Sequence, residues 1–320
     1  MGNWLDRAFA LEAVRVTEAA AMAVADLIGR GDEHAADHAA VEAMRKTFNF
    51  LPITGTVVIG EGERDEAPML YIGEVVGSGG LEVDIALDPL EGTSLTAKAL
   101  PNALAVLAIA EPGTLLNAPD VYMQKIAIGP GFSEGTVDLD MSVHDNIVSL
   151  ARAKGVHPRE ITALVLDRPR HEKLIGEIRA SGAALRLISD GDVAGIIATT
   201  DPNTGIDIYF GQGGAPEGVL AASALRCLGG QMQGRLVFRN DDERARADKW
   251  GVTDLDRKYL VRDMASGDVI FSATGVTDGA MLKGVHRTPD YITTHSVVMR
   301  STSGTVRWIE ARHARRRGGR

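Results

Sequence analysis

Residues 82–93 read EVDIALDPLEGT, from Glu82 to Thr93. Val83, Ile85, Ala86 and Leu87 make an apolar run short enough for a buried strand, and the polar residues after it are crowded into six positions. Asp88 is expected at the carboxyl end of that strand, where Pro89 removes a backbone donor and stops the ladder. Glu91 follows three residues later, and Gly92 permits a tight turn that lets both carboxylates face one point. Thr93 then opens a helical turn whose free N–H groups suit an anion. The same residues also suit an ordinary strand-to-helix turn, with Thr93 as a cap and the acids in water.

Strand signals surround this stretch: TVVIG, MLYIGEVVG, NALAVLAIA and YMQKIAIGPG, separated by Gly and Pro turns. So many strands in so short a span predict a largely antiparallel or mixed sheet packed on the opening helices. Those helices are expected over residues 5–28, where apolar residues recur at helical spacing and GRG stops the run, and over residues 39–48. Asp37 then falls in the polar junction between them. After about Pro130 helix and strand signals alternate through VHDNIVSLARAKG, ITALVLD, HEKLIGEIRASG, ALRLIS, DVAGIIATT, IDIYFG and PEGVLAASALRCLG. That alternation predicts an α/β half with ligands at the carboxyl ends of its strands. A charged helix, DDERARADKWG, and strands in DVIFSATGV, YITTHSVVM and TVRWIEA complete the chain. Two domains are expected, 1–155 and 156–320.

Composition narrows the function classes. With 320 residues the chain can bury a substantial core, and its formal charge of −9 disfavours a polyanionic partner such as nucleic acid. The basic ending RHARRRGGR reads as a solvated tail. The single Cys227 excludes an internal disulfide and reads as a small core residue in a reducing compartment. The charged opening MGNWLDRAFALE lacks an apolar leader, and Asp6 stands where a myristoylation signal needs Ser or Thr. ALAVLAIA is too short to span a bilayer. A cytoplasmic protein with no membrane association is expected.

Further acids extend the reading of DPLEGT. In VVIGEGERDEAPML a strand runs into Gly60-Glu61-Gly62-Glu63, whose glycines leave Glu61 unshielded. Asp37 offers another carboxylate, and Glu217 opens a helix in GGAPEGVLAA, a position that capping alone also explains. Glu63, Asp65 and Glu66 read as solvated loop charges. Carboxylates meeting in one pocket repel unless cations neutralise them, and an all-oxygen donor set without His or Cys suits Mg²⁺ or Mn²⁺. Metals beside a helix start that accepts phosphate are the composition of a phosphate-transferring site. In the second half, Arg168 and Arg170 stand two apart after a strand, so in an extended segment both guanidiniums point the same way toward phosphate. Asp190 and Asp192 in SDGDV suit sugar hydroxyls. Surface salt bridging and capping explain all four almost equally well.

The order of RVTEAAA, GRGDEHAAD, GEGERDEAPMLYIGE, DPLEGT, LNAPDVYMQKIAIGPG, PRH, DGDVA, GGAPEGV and FSATGVT along nearly the whole chain resembles the class II fructose-1,6-bisphosphatases. These belong to the metal-dependent phosphatase superfamily that includes inositol monophosphatases. The resemblance implies an α/β/α/β/α layered sandwich of sugar-phosphatase type that hydrolyses the 1-phosphate of fructose 1,6-bisphosphate with Mn²⁺ or Mg²⁺. It implies metal ligation by Asp37, Glu61, Asp88, Glu91 and Glu217, with Thr93 polarising the attacking water. Substrate binding is implied at Glu91, Gly92, Thr93, Tyr122, Arg168, Pro169, Arg170, Asp190, Gly191, Asp192 and Gly214. A homo-oligomer, dimer or tetramer, is implied too. Sedoheptulose 1,7-bisphosphate, alone or in addition, is the nearest alternative substrate, and a sugar-phosphate-binding regulator without turnover is the alternative of another class.

Overall fold

The protein is described by a computed structural model over residues 7–62, 68–249 and 251–315. In chain order the first elements are helices α1 (Arg7–Val24) and α2 (Glu33–Phe48), strands β1 (Ile53–Ile59), β2 (Val75–Val76) and β3 (Leu81–Glu91), the one-turn helix α3 (Thr93–Ala97), and β4 (Leu104–Ala110). Then come β5 (Tyr122–Ile128), α4 (Val143–Lys154), β6 (Thr162–Leu166), α5 (Glu172–Ala180), β7 (Ala184–Ile188), α6 (Asp192–Ala198), β8 (Ile208–Gly214) and α7 (Ala215–Leu228). The chain finishes with β9 (Gln231–Val237), α8 (Asp241–Lys249), β10 (Tyr259–Leu260), α9 (Val261–Met264), β11 (Val269–Gly275), β12 (His286–Arg287), β13 (Tyr291–Arg300) and β14 (Thr305–Ala314).

Two compact units result, and the first is discontinuous: residues 1–112 with 268–320, and residues 113–267. This differs from the expected division at 155/156. β11 pairs along its whole length with β4 and also with β13, so the last strands are central to the first sheet. Sequence distance hides this, because the pairing partners are separated by the whole second unit. A buried polar cluster ties the late strands to α1: the Thr274 hydroxyl donates to Thr17 at 2.8 Å, Ser272 and Ser296 bond to the same pair of threonines, and the Thr294 hydroxyl donates to Glu18 at 2.7 Å. In a dry interface such a network is satisfied only in one arrangement, which specifies how α1 sits on the sheet.

The first sheet is mixed, as expected. β1 and β3 are parallel, and the β3–β4, β4–β11, β11–β13 and β13–β14 pairs are antiparallel. β4 is buried at every position because its run LAVLAIA has no polar alternation. Of the expected strand MLYIGEVVG only Val75–Val76 is strand; Gly73 with φ +90° turns the chain just before it. The first helix is shorter than expected, and the second begins earlier, at Glu33, where Asp32 accepts the Ala35 N–H as an N-cap. Asp37 therefore lies within a helix rather than in a junction.

The second sheet has the order β10-β9-β5-β8-β6-β7, with β6 parallel to both β7 and β8. The expected βα alternation holds element by element, and YMQKIAI joins it as β5 instead of extending the first sheet. Ile126, Ile128, Ala163, Val165, Ile208 and Phe210 face α4 and α5 in one core. The alternate residues face the other way, with Met123 against Gly218 of α7 and Leu164 and Tyr209 against Gly195 of α6. The second unit is thus helix–sheet–helix, and the first packs α1 and α2 on its sheet. Each unit is a mixed sheet with flanking helices, consistent with the expected layered α/β sandwich. Cys227 is buried, as a small core residue should be. Arg312, His313 and Ala314, expected in a solvated tail, belong to β14.

Candidate active site

In the first unit, the parallel pairing of β1 with β3 organises the acids. Ile59 lies opposite Ala86 at the end of that ladder; Glu61 follows two residues after β1, and Asp88 stands two residues beyond Ala86 within β3. Glu61 is held there by its N–H, which donates to Leu70 O at 3.1 Å, and a Cβ on Gly60 would overlap that same carbonyl. Glu63, Asp65 and Glu66 lie outside the described residues. Asp37 approaches from α2. Burial raises the Asp37 carboxyl, against a smaller opposing effect of His34 and His38. Burial and then the Asp37 charge push Glu61 up to about 8.

Pro89 does not end β3, as expected from sequence; the strand runs on to Glu91. The ladder to β4 passes from Asp88↔Val106 to Glu91↔Leu104, three steps on β3 against two on β4. That extra residue is a bulge, one of the ways a strand accommodates a residue that cannot donate to the ladder. The Leu90 N–H turns to Asp88 Oδ1 at 3.0 Å, and Glu91 is buried, 4% exposed. Gly92, with φ +87°, caps α3, and Thr93 is its first residue. Helix α3 packs on α2, and the 29–31 loop is tied to its end through Gly29 N–H to Thr96 O at 2.9 Å and Gly31 N–H to Ala97 O at 3.0 Å.

In the second unit the expected substrate residues cluster at one edge of the sheet, where β6, β7, β8 and β9 end. Arg168 and Arg170 are not in an extended segment. Pro169 starts a 3₁₀ turn, Pro169–His171, with Arg168 as its cap, and the two guanidiniums take different partners. Arg168 pairs with Asp190 at 3.5 Å. Arg170 grips the Gln212 carbonyl through Nε at 2.9 Å and Nη2 at 2.7 Å, and lies 4.9 Å from the centre of the Tyr122 ring. Tyr122 is in register with Gly214. Gly191, φ +86°, caps α6, and Asp192 is that helix's first residue. Asp192 pairs with Lys125, a lysine only 1% exposed that sequence reading passed over. Gly213 and Gly214 have no room for a Cβ, which would overlap the Asp192 and Glu217 carboxylates respectively. The Glu217 carboxyl is raised first by burial, then by Asp192 and less by Asp120, while Lys125 opposes the rise.

Sequence reading also missed His171. Its Nε2 accepts the Gln212 N–H at 2.9 Å, so the proton sits on Nδ1, which donates to Leu166 O at 2.7 Å. Burial lowers its pKa further below the ordinary value, in keeping with a neutral ring. A buried His in PRH carries no sequence signal that separates this role from a surface one.

The chain matches the family model of bacterial fructose-1,6-bisphosphatase, glpX-encoded, over residues 7–313. It is 47% identical over 322 residues to fructose-1,6-bisphosphatase 1 class 2 of Escherichia coli strain K12, covering 96% of this chain and 95% of that one. Fructose-1,6-bisphosphatase class 2 of Shigella flexneri is equally similar over the same shares. The chain belongs to this family. As a class 2 fructose-1,6-bisphosphatase family member, it carries a carboxylate set of the kind a hard divalent cation requires. Asp37 and Glu61 are both partly desolvated, Glu61 lies in the field of Asp37, and a cation would neutralise both. Among the described residues no three His, Cys, Asp or Glu side chains stand close enough together to hold a metal ion as they are. No helix among them is long and apolar enough to cross a membrane.

Proposed function

We propose that the chain hydrolyses the 1-phosphate of fructose 1,6-bisphosphate to fructose 6-phosphate and inorganic phosphate, a step of gluconeogenesis. The observation that carries this reading is the half-buried carboxylate pair near the carboxyl end of β1, where Glu61 lies in the field of Asp37. Asp37, Glu61, Asp88 and Glu91 would hold Mg²⁺ or Mn²⁺, and Glu217 is the candidate ligand on the second unit. Such metals, when bound, lower the pKa of water and neutralise charge on the phosphoryl group. Thr93 and Glu61 orient the attacking water, and Glu61, as the carboxylate, accepts its proton. Gly92 and the backbone N–H groups after it receive phosphoryl oxygens. Tyr122, Arg168, Pro169, Arg170, Asp190, Gly191, Asp192 and Gly214 bind the sugar phosphate.

Asp88→Asn and Glu91→Gln are each expected to abolish phosphate release from fructose 1,6-bisphosphate in a folded protein, and EDTA to do the same to the parent chain. Near-normal turnover in either variant would sink the assignment. Running sedoheptulose 1,7-bisphosphate in parallel decides which ketose bisphosphate is preferred, and binding without release would establish a regulator instead. A cytoplasmic homo-oligomer, dimer or tetramer, is part of the reading, and sedimentation tests the assembly.

A further inference from the structure

β9 ends at Val237 on the same edge of the second sheet as β6, β7 and β8, and Val237 lies opposite Tyr122. Two residues later stands Arg239. Its guanidinium carbon lies 4.7 Å from the centre of the Tyr122 ring, so Arg170 and Arg239 share one aromatic ring. Arg239 is preset by Glu243, a wholly buried residue of α8: Nε donates to Oε1 at 2.6 Å, Nη2 lies 2.5 Å from the same oxygen, and the Arg239 backbone N–H donates to Oε2 at 2.7 Å. The Arg239 side chain nevertheless remains 54% exposed.

Charge at this edge is unbalanced in a specific way. Arg168 is offset by Asp190 and Arg239 by Glu243 and, to a lesser extent, by Asp120, while the polar partner of Arg170 is a neutral carbonyl and the adjacent His171 ring is neutral. Two guanidiniums on one ring repel each other, and a tyrosine quadrupole repays little of that at an exposed site. An anion resolves the conflict, and a phosphate monoester suits paired guanidinium forks best.

We infer that Arg239 is a specificity-determining residue that, with Arg170 and Tyr122, binds the phosphate of the sugar bisphosphate that is not hydrolysed. The inference rests on the sugar-bisphosphatase reading above. Under it, α8 is a clamp: its buried Glu243 holds Arg239 in the posture that meets the ligand, which lowers the side-chain entropy lost on binding.

The test compares the full-length parent chain with Arg239→Ala and Arg239→Lys, each checked for folding by circular dichroism and thermal melting. With fructose 1,6-bisphosphate, Arg239→Ala is expected to raise KM by roughly 10–100-fold, as loss of a charge-assisted hydrogen bond does, with kcat changed less than about twofold. Arg239→Lys, which keeps the charge without the fork, should fall between. With fructose 1-phosphate, which lacks the remote phosphate, parent and variants should share one KM. An equal KM rise on both substrates, or no rise on either, overturns the inference. Calorimetric binding of fructose 6-phosphate distinguishes a failure of the proposed function from a failure of the role of Arg239. If the parent chain binds it but releases no phosphate from the bisphosphate, the proposed function fails, and the affinity ratio of parent to Arg239→Ala still decides the role of Arg239.

Discussion

Gly92 shows how a single backbone dihedral holds a site in place. Its φ of +87° turns β3 into α3 at Thr93, and a Cβ there would approach Leu95 Cδ1 at 2.8 Å. An L side chain costs about 1–2 kcal/mol in this region before any clash is counted. Gly92→Ala should therefore lower the thermal midpoint by several degrees, at roughly 2–4 °C per kcal/mol for a unit of this size, and displace Thr93. Calorimetry reads the first effect and kcat the second. An unchanged melt would show that the turn relaxes without strain. Gly92 was legible in DPLEGT because a glycine after two carboxylates has few other uses. Lys125 was not legible. A lysine in a strand normally faces water, and only the packing of α6 against β5 and β8 reveals that it is buried against Asp192.

At the scale of elements, His171 joins two strands that their own ladder barely connects. β6 and β8 are in register only at Ala163↔Ile208 and Leu164↔Tyr209; beyond that, the His171 ring links Leu166 O to the Gln212 N–H. The Gln212 bond requires the neutral ring, because a protonated Nε2 cannot accept. The folded pKa is depressed, so as pH falls below the unfolded value, near 6.5, the unfolded chain takes up a proton that the folded one resists, and stability drops. Denaturant titrations from pH 8 to 5 should show this loss, and His171→Asn should remove that component of the slope while lowering stability at pH 8. An identical slope in parent and variant would assign the pH dependence to other groups. The βα alternation of this half was legible because each helix and strand has its own hydrophobic period. The Pro89 bulge was not, since whether a proline stops a strand or bulges it depends on the partner strand opposite.

For the whole molecule, the order of pairing matters more than the order of residues. The chain leaves the first unit after β4 and returns as β11, its immediate neighbour, with Val269 opposite Ala110 and the Glu111 N–H bonded to Asp268 O at 3.4 Å. The second unit is in this sense an insertion between adjacent strands. Excised residues 113–267 are expected to melt cooperatively alone, and residues 1–112 joined by a short loop to 268–320 should fold as well. Residues 1–112 alone should not fold, because β4 would lose the partner that covers its whole length. Cooperative folding of that fragment would contradict the assignment of β11 to the first sheet.

The sequence by itself determined which residues are strand, helix and turn over most of the chain, because periodicity, Gly and Pro act locally. It also singled out Asp88, Glu91 and Glu61, after apolar strands, with Thr93 and Asp37, as candidate site residues. Tertiary structure alone decided that the last three long strands complete the first sheet, that Asp37 rides on a helix, and that β3 runs through Pro89 to Glu91. It alone placed a second arginine on Tyr122. Those facts depend on contacts between residues far apart in the chain, whose free energy comes from burial and pairing that no local pattern encodes.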